Sequence, residues 1–300
     1  MASMRDIKRR KESISSTGQI TKAMKLVATV KLQKAKARAE NSRPYFEHMY
    51  EAVCSILNKS GYMDHPMLTP KNASSDKPGE GGKRAVIVIT SNRGLAGGYN
   101  SNIVKLVTGG DFDPKDTLVY AVGRKGKEAL ARRGYEIAKD YSEAINEPIF
   151  ADAAEIGTEV MEAFREGKIR EIYLAYTVFK NTVSHIPTLQ KILPVESDQM
   201  QKEEKKEGPL SVDDLTLMNY EPEADEALNL IIPKYVNSLI YGALTTAIAS
   251  ENGARMQAMD SATSNAEDMI SDLELKYNRA RQGAITQELT EIIAGANAIS

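Results

Sequence analysis

The sequence predicts an α/β fold, in which a long antiparallel coiled coil of the N- and C-terminal helices carries an inserted α/β domain. Small and apolar residues recur at helical spacing at both ends of the chain. Between the ends, β-branched runs alternate with helical patterns, which is typical of a parallel or mixed sheet covered by helices. We therefore expect three regions: an N-terminal helix over 1–60, a globular α/β domain over 61–221, and a C-terminal helix over 222–300.

The N-terminal segment has the pattern of one long basic helix. Residues 1–40 contain no proline and a single glycine. A heptad stripe is formed by Ile7, Ile14, Thr21, Ala28 and Ala35, with Ile20, Met24 and Val27 predicted to extend it. Up to Tyr45 there are twelve basic and three acidic residues, a net charge of about +9. We expect the helix to resume after Pro44 and to end near residue 58.

The central region alternates strands and helices and predicts a Rossmann-like domain. A Pro- and Gly-rich linker over 63–84 precedes it. Strands are predicted at "AVIVIT" (85–90), "TLVYAV" (117–122), "IREIYLAYTVF" (169–179) and "TLQKILPV" (188–195). Helices are predicted after the glycine-rich turn "SNRGLAGGYN", at "GRKGKEALARR", and over 150–167.

The C-terminal region predicts a second long helix, acidic overall. Its only internal proline is Pro233, where we expect a kink or a helix start. A stripe of small residues follows at three- and four-residue spacing: Ala243, Ala247, Ser250, Ala254, Ala258 and Ala262. From Glu251 onward there are eight acidic and four basic residues, a net charge of about −4. Opposite charges and complementary stripes favour antiparallel pairing of the two terminal helices.

Composition excludes several functional classes. The single cysteine, Cys54, permits no disulfide framework, and three scattered histidines (His48, His65, His185) make a shared metal site improbable. No apolar stretch approaches the roughly 20 residues that cross a bilayer, so direct membrane insertion is not expected. The whole-chain net charge of −2 gives no support to a nucleic-acid partner. We expect no catalytic residue, cofactor or metal.

The glycine-rich turn admits a competing hypothesis. A strand, a glycine turn and a helix N-terminus together can cradle a phosphate. However, Gly94, Gly97 and Gly98 match neither G-x-G-x-x-G nor the P-loop pattern. A structural turn or a partner-contacting loop is therefore favoured. The alternative, a nucleotide-binding α/β enzyme with helical oligomerisation arms, stays open at this stage.

Three stretches together resemble the γ subunit of F-type ATP synthases. They are "QITKAMKLVATVKLQKA" (19–35), "SNRGLAGGYNSNI" (91–103), and "ARMQAMDSATSNAEDMI" with "YNRARQGAITQELTEIIAGANA" near the C-terminus. The second resembles the family's S-D-R-G-L-C-G-x-x-N loop, with Asn92 in place of the usual acid and Ala96 in place of the frequent cysteine. The resemblance covers essentially the whole chain.

The resemblance implies a central rotor shaft rather than an enzyme. Its partners would be three α and three β subunits, the ε subunit and the membrane ring of c subunits. Proton flow would turn the shaft during ATP synthesis, and ATP hydrolysis would turn it in reverse. The chain would lie peripherally on the cytoplasmic side of a bacterial cell membrane, since no leader-like segment precedes the first helix.

Individual positions take expected roles from the resemblance. The β-subunit contacts would be Met24, Lys25, Arg255, Arg281, Gln282 and Thr286. The glycine-rich loop would add partner contacts from Arg93, Gly94, Leu95, Gly97 and Asn100. For Met24 the competing interpretation is coiled-coil core, and for the arginines it is a solvated or intrahelical ion pair.

Overall fold

The computed structural model describes residues 4–60, 82–182, 184–195 and 224–299. The helices are α1 (Met4–Ser60), α2 (Tyr99–Thr108), α3 (Arg124–Ala131), α4 (Phe150–Arg165) and α5 (Ala224–Ile299). The strands are β1 (Lys83–Ile89), β2 (Thr117–Val122), β3 (Glu136–Asp140), β4 (Ile169–Phe179) and β5 (His185–Leu193). The predicted α/β fold with long terminal helices is confirmed. The linker predicted before β1 falls largely outside the described residues.

By packing, the chain divides into two compact units. One combines residues 1–30 with 255–300, and the other spans 31–254. Both α1 and α5 contribute to each unit. The boundaries predicted from the sequence follow the ends of helices instead of packing, and they stay a prediction.

In the first unit, α1 and α5 pair antiparallel. Lys11 contacts Glu274 at 2.6 Å, Thr21 contacts Thr263 at 2.8 Å, and Lys25 contacts Asp260 at 2.5 Å. Ascending positions in α1 therefore meet descending positions in α5. A Cβ added at Gly18 would lie 3.3 Å from Cβ of Ala266, which shows how closely the backbones approach there.

The buried face of α1 differs from the prediction at two residues. Ala28 is buried and Ile7, Ile14 and Thr21 are half-buried, as the heptad pattern predicts. Ile20 and Val27 were expected on the same stripe, but they are 57% and 58% exposed. They directly precede the heptad positions Thr21 and Ala28, and one residue along a helix turns a side chain by about 100°. They therefore lie on the flank of the pair.

The second unit is built on a five-stranded mixed sheet of order β3-β2-β1-β4-β5. The first four strands are parallel, and β5 pairs antiparallel with β4. Strand β3 was not predicted, because its sequence "EIAKD" is largely polar and its edge position leaves it mostly exposed. Edge strands bury little apolar surface, so they lack the pattern that reveals central ones.

Two apolar layers cover the faces of this sheet. Alternate residues of β1 point to opposite sides: Ile87 and Ile89 belong to one layer, Val86 and Val88 to the other. The first layer includes side chains of α4, α5 and the end of α1. The second includes side chains of α2 and α3. This two-sided burial explains why the central strands have continuous apolar sequences.

Neither internal proline interrupts its helix. Pro44 lies inside α1, and Pro233 lies inside α5, which begins at Ala224. The helix therefore does not resume after Pro44 or start at Pro233, and a kink at Pro233, the other expectation, stays a prediction. Two residues beyond each proline, the rings of Phe46 and Tyr235 stack 6.3 Å apart.

Candidate partner-contact sites

The described residues contain no cluster of three or more His, Cys, Asp or Glu side chains arranged to hold a metal ion. Of the histidines, His48 lies on α1 beside Glu51, His185 begins β5, and His65 falls outside the described residues. A search of those same residues finds no helix that is long and apolar enough to span a membrane.

The glycine-rich loop after β1 presents a hydrophobic side chain to solvent. Leu95 is 62% exposed and adopts a left-handed backbone conformation, with φ of 63°. This conformation is uncommon for a residue with a Cβ and persists where the surroundings enforce it. Gly97 also adopts a left-handed backbone conformation, with φ of 56°. Arg93, Gly94 and Gly97 are also exposed.

Hydrogen bonds at the base of the loop fix its shape. The Asn100 side chain accepts from the Ser91 backbone N–H at 2.9 Å and lies 2.7 Å from the Ser91 hydroxyl. That hydroxyl lies 2.6 Å from the carbonyl oxygen of Arg93. Asn100, predicted as a partner contact, is half-buried and braces the loop. Ala96 is buried beneath it.

The same loop caps α3, the helix that follows β2. The first three backbone N–H groups of α3 belong to Arg124, Lys125 and Gly126. They donate to the Asn92 side chain at 3.0 Å, the Ser91 carbonyl at 3.1 Å and the Thr90 hydroxyl at 2.9 Å. Free N–H groups at a helix N-terminus are what bind a phosphate. At α3 they are engaged within the protein; the predicted phosphate cradle concerned the N-terminus of α2 instead.

Helix α5 covers the edge of the sheet where an α/β enzyme would hold its ligand. Such ligands bind beyond the carboxyl ends of the strands at the point where strand order reverses, here between β1 and β4. The Tyr99 hydroxyl donates to the carbonyl of Ala247 at 3.2 Å, and the Ser250 hydroxyl donates to that of Thr177 at 3.0 Å. These contacts argue against the nucleotide-binding alternative.

On the paired helices, Met24 and Lys25 are half-buried. The Lys25 ammonium lies 2.5 Å from the Asp260 carboxylate, and these two side chains are 38% and 61% exposed. Met24 occupies the second apolar position of the heptad, which accounts for its partial burial by α5. Both positions therefore serve the helix pair and still offer surface to a partner.

The predicted contacts on α5 differ in exposure. Arg255 is half-buried, whereas Arg281, Gln282 and Thr286 are exposed. The Thr286 hydroxyl donates to the Gln282 carbonyl at 2.9 Å, an ordinary contact within a helix. The structure thus places the helix residues in one unit and the glycine-rich loop in the other.

The paired helices carry a set of exposed apolar residues, of which the sequence had indicated only the uncharged C-terminal tip from Ile292. On α1 they are Ile20, Leu26, Val27 and Val30; on α5 they are Met269, Leu275, Ile285, Leu289, Ile292 and Ile293. Each is at least half exposed. The available signal was their position off the buried heptad stripe. Large exposed apolar surface is typical of an interaction site.

Comparison with known proteins agrees with this geometry. A family model described as ATP synthase matches residues 3–299. The ATP synthase gamma chain of Lachnoclostridium phytofermentans is 70% identical over the full length of both chains. The gamma chain of Acetobacterium woodii, described as sodium ion specific, is 42% identical and covers 99% of each chain.

Solved structures give the same result. One described as the central stalk and c-ring of Tetrahymena thermophila mitochondrial ATP synthase is 26% identical, with a TM-score of 0.56, covering 81% of this chain and 99% of that one. A chain from Euglena gracilis mitochondrial ATP synthase is 18% identical with a TM-score of 0.66, covering 99% and 94%, and supports the fold. The chain belongs to the ATP synthase gamma chain family.

Proposed function

We propose that the chain is the central rotor shaft of an F-type ATP synthase, transmitting torque between a membrane c-ring and a catalytic ring of α and β subunits. The observation that carries this proposal is the paired helix unit, whose outer faces keep large apolar side chains exposed. A similar structure is described as a central stalk with its c-ring. Catalysis would belong to the α and β subunits.

The surface chemistry of the helix pair suits a rotating part. Apolar contacts have no preferred direction, so a shaft can turn against an apolar collar without one orientation being strongly favoured. Hydrogen bonds that involve a charge contribute about 1.5–3 kcal/mol each and are directional. A few of them, at Lys25, Arg255 and Arg281, would couple the shaft angle to the shape of the partner.

Met24, Gln282 and Thr286 complete the proposed β-subunit contacts on the helices. Their exposed or half-buried side chains are accessible to a surrounding subunit. The glycine-rich loop supplies a second contact, through the exposed side chains of Arg93 and Leu95. Gly94 and Gly97 would allow close approach of the partner's backbone, because neither places a side chain over the loop.

The remaining partners would be an ε subunit and the c-ring, with the assembly on the cytoplasmic side of a bacterial cell membrane. Similarity to both ordinary and sodium-specific gamma chains is compatible with either coupling ion. The bacterial relatives support the location.

Reconstitution tests this proposal. α and β subunits are assembled with and without the chain, and ATP hydrolysis and rotation of a bead attached to the globular unit are measured. We expect the chain to be required for sustained hydrolysis and for directional rotation. Equal assembly and hydrolysis without the chain would overturn the shaft proposal.

A further inference from the structure

The Asn92 side chain joins three loops at one edge of the sheet. Its carbonyl oxygen accepts from the backbone N–H of Arg124, at the start of α3, at 3.0 Å. Its amide nitrogen lies 2.6 Å from the carbonyl oxygen of Ser142 and 3.3 Å from Oδ1 of Asn146, both in the β3–α4 connection. Asn92 itself belongs to the glycine-rich loop. One side chain thereby fixes the loop relative to two neighbouring segments.

Only an amide satisfies both sides of this arrangement. The Arg124 N–H requires an acceptor and the Ser142 carbonyl requires a donor, which fixes the orientation of the amide. A carboxylate would still accept from Arg124, but it would bring an oxygen without a proton against the Ser142 carbonyl. The loop pattern that this chain resembles usually has an acid at this position. The amide is therefore a feature of this chain that its hydrogen bonds explain.

The backbone of Asn92 adds a further tie to the same loop. Its carbonyl oxygen accepts from the Arg124 guanidinium at 3.3 Å. The next residue, Arg93, is held through its own carbonyl by Ser91. Leu95 then projects outward in its left-handed conformation. A loop that keeps an apolar side chain in water and in an uncommon conformation needs a rigid base, and Asn92 is central to that base.

We propose that Asn92 is a positioning residue for the partner contact made by Arg93 and Leu95. The chemistry of the exposed groups defines the surface that they fit. Leu95 requires an apolar pocket, and the exposed guanidinium group of Arg93 favours an acidic side chain beside it. The proposal rests on the proposed function, since the partner would be a subunit that surrounds the shaft.

The test uses the full chain assembled with α and β subunits. Asn92→Ala removes all three side-chain contacts, and we expect ATP turnover of the complex to fall by at least about 2- to 10-fold, the range that corresponds to one neutral hydrogen bond. Leu95→Ala removes the projecting side chain and should give a loss of similar size. If Asn92 acts through the loop, the double variant should lose no more than the larger single loss.

Asn92→Asp supplies a readout that a purely structural role would not give. Near pH 8 the introduced carboxylate keeps the Arg124 contact and repels the Ser142 carbonyl, so turnover should lie between wild type and Asn92→Ala. When pH is lowered, the introduced carboxyl group can gain a proton and donate to Ser142; the Ser142 and Asn146 oxygens favour the protonated form, and the Arg124 N–H and guanidinium oppose it. Turnover relative to wild type at the same pH should therefore rise.

Asn102→Ala is the matched control. Asn102 is an exposed asparagine on α2, within the same unit but outside these three loops, and its replacement should leave turnover unchanged. Multiplicative losses in the double variant, with no pH response of Asn92→Asp, would overturn the positioning role. Full activity of Leu95→Ala would instead reject the loop contact, while the requirement for the chain in reconstitution would continue to support the shaft.

Discussion

At the scale of single residues, substitutions of exposed charged residues on the paired helices can distinguish an effect on function from an effect on folding stability. Arg281 and its neighbour Arg279 are both exposed side chains on the same stretch of α5. Exposed substitutions usually change the free energy of unfolding by less than about 0.5 kcal/mol. A large functional effect at such a position must therefore come from a partner.

Arg281→Ala should reduce ATP turnover of the assembled complex by roughly 10-fold or more, since a charge-assisted hydrogen bond contributes about 1.5–3 kcal/mol. The melting temperature of the isolated chain should change little. Arg279→Ala, outside the proposed contacts, is the control and should leave turnover near wild type. A loss of stability that matches the loss of turnover would assign Arg281 a structural role.

His185 predicts a pH dependence of stability. Burial lowers the pKa of its imidazole, and neither ring nitrogen makes a hydrogen bond of ordinary geometry within the described residues. Since its folded-state pKa lies below the ordinary value of 6.5, His185 favours folding at high pH. That contribution declines as pH falls below the unfolded pKa and through the folded one.

We therefore expect the melting temperature of the chain to decrease between pH 7.5 and 5.5. His185→Gln, which cannot titrate, should reduce this slope. His48→Gln, at an exposed position on α1, should retain it. Identical slopes in wild type and His185→Gln would contradict the assignment.

At the scale of elements, the closeness of α1 and α5 depends on small residues at particular positions. The Thr21–Thr263 contact and the Gly18–Ala266 approach lie between two interhelical ion pairs. Exposed ion pairs of this kind contribute about 0–1 kcal/mol. Packing of the close-fitting faces must therefore provide most of the stability, with charge helping to select the antiparallel register.

Gly18→Leu should destabilise the helix pair by about 1–3 kcal/mol, because the added atoms overpack the contact with Ala266. Gly18→Ala should have a small effect, since better helix propensity, up to about 1 kcal/mol, offsets the tight contact. Thermal unfolding followed by circular dichroism measures both.

Gly283 provides the comparison for these variants. A Cβ added there meets nothing within 4 Å, so Gly283→Leu should be neutral or stabilising in the isolated chain. Equal destabilisation by leucine at Gly18 and at Gly283 would show that the Gly18 contact is not the cause.

The strands show which parts of an element can be inferred from sequence. β1, β2 and β4 are buried on both faces, so their β-branched runs identified them. β3 escaped prediction because an edge strand needs little apolar surface. Ile20 and Val27 were wrongly predicted to be buried. The heptad pattern indicates that α1 has an apolar stripe, but the edge of the buried face depends on how the partner helix packs against it.

At the scale of the whole molecule, the C-terminal end of α5 is exposed along its length. Every residue from Arg281 to Asn297 is exposed, including Ile292 and Ile293. Such a segment adds little to the folding of an isolated chain. The proposed collar of α and β subunits accounts for its apolar character.

Removing residues 292–300 should leave the melting temperature of the isolated chain unchanged within error. In the complex, ATP turnover should fall by less than about 10-fold, because apolar contacts at the tip contribute without the directionality of charged bonds. Rotation assays measure this directly. A truncated chain that melts at a much lower temperature would show that the tip packs within the chain.

The amino-acid pattern was enough to predict the α/β class, the two long helices, their antiparallel pairing through charge and heptad pattern, and the family through its three motifs. These features are local or periodic, so neighbouring residues are enough to specify them. The roles of residues within the glycine-rich loop became visible in the folded structure. Asn92 and Asn100 are both asparagines of the glycine-rich loop, and the sequence does not distinguish their roles. In the structure Asn92 connects three segments, whereas Asn100 braces the glycine-rich loop alone. Their partners, from Ser91 to Asn146, come together only when the sheet places the ends of its strands at one edge.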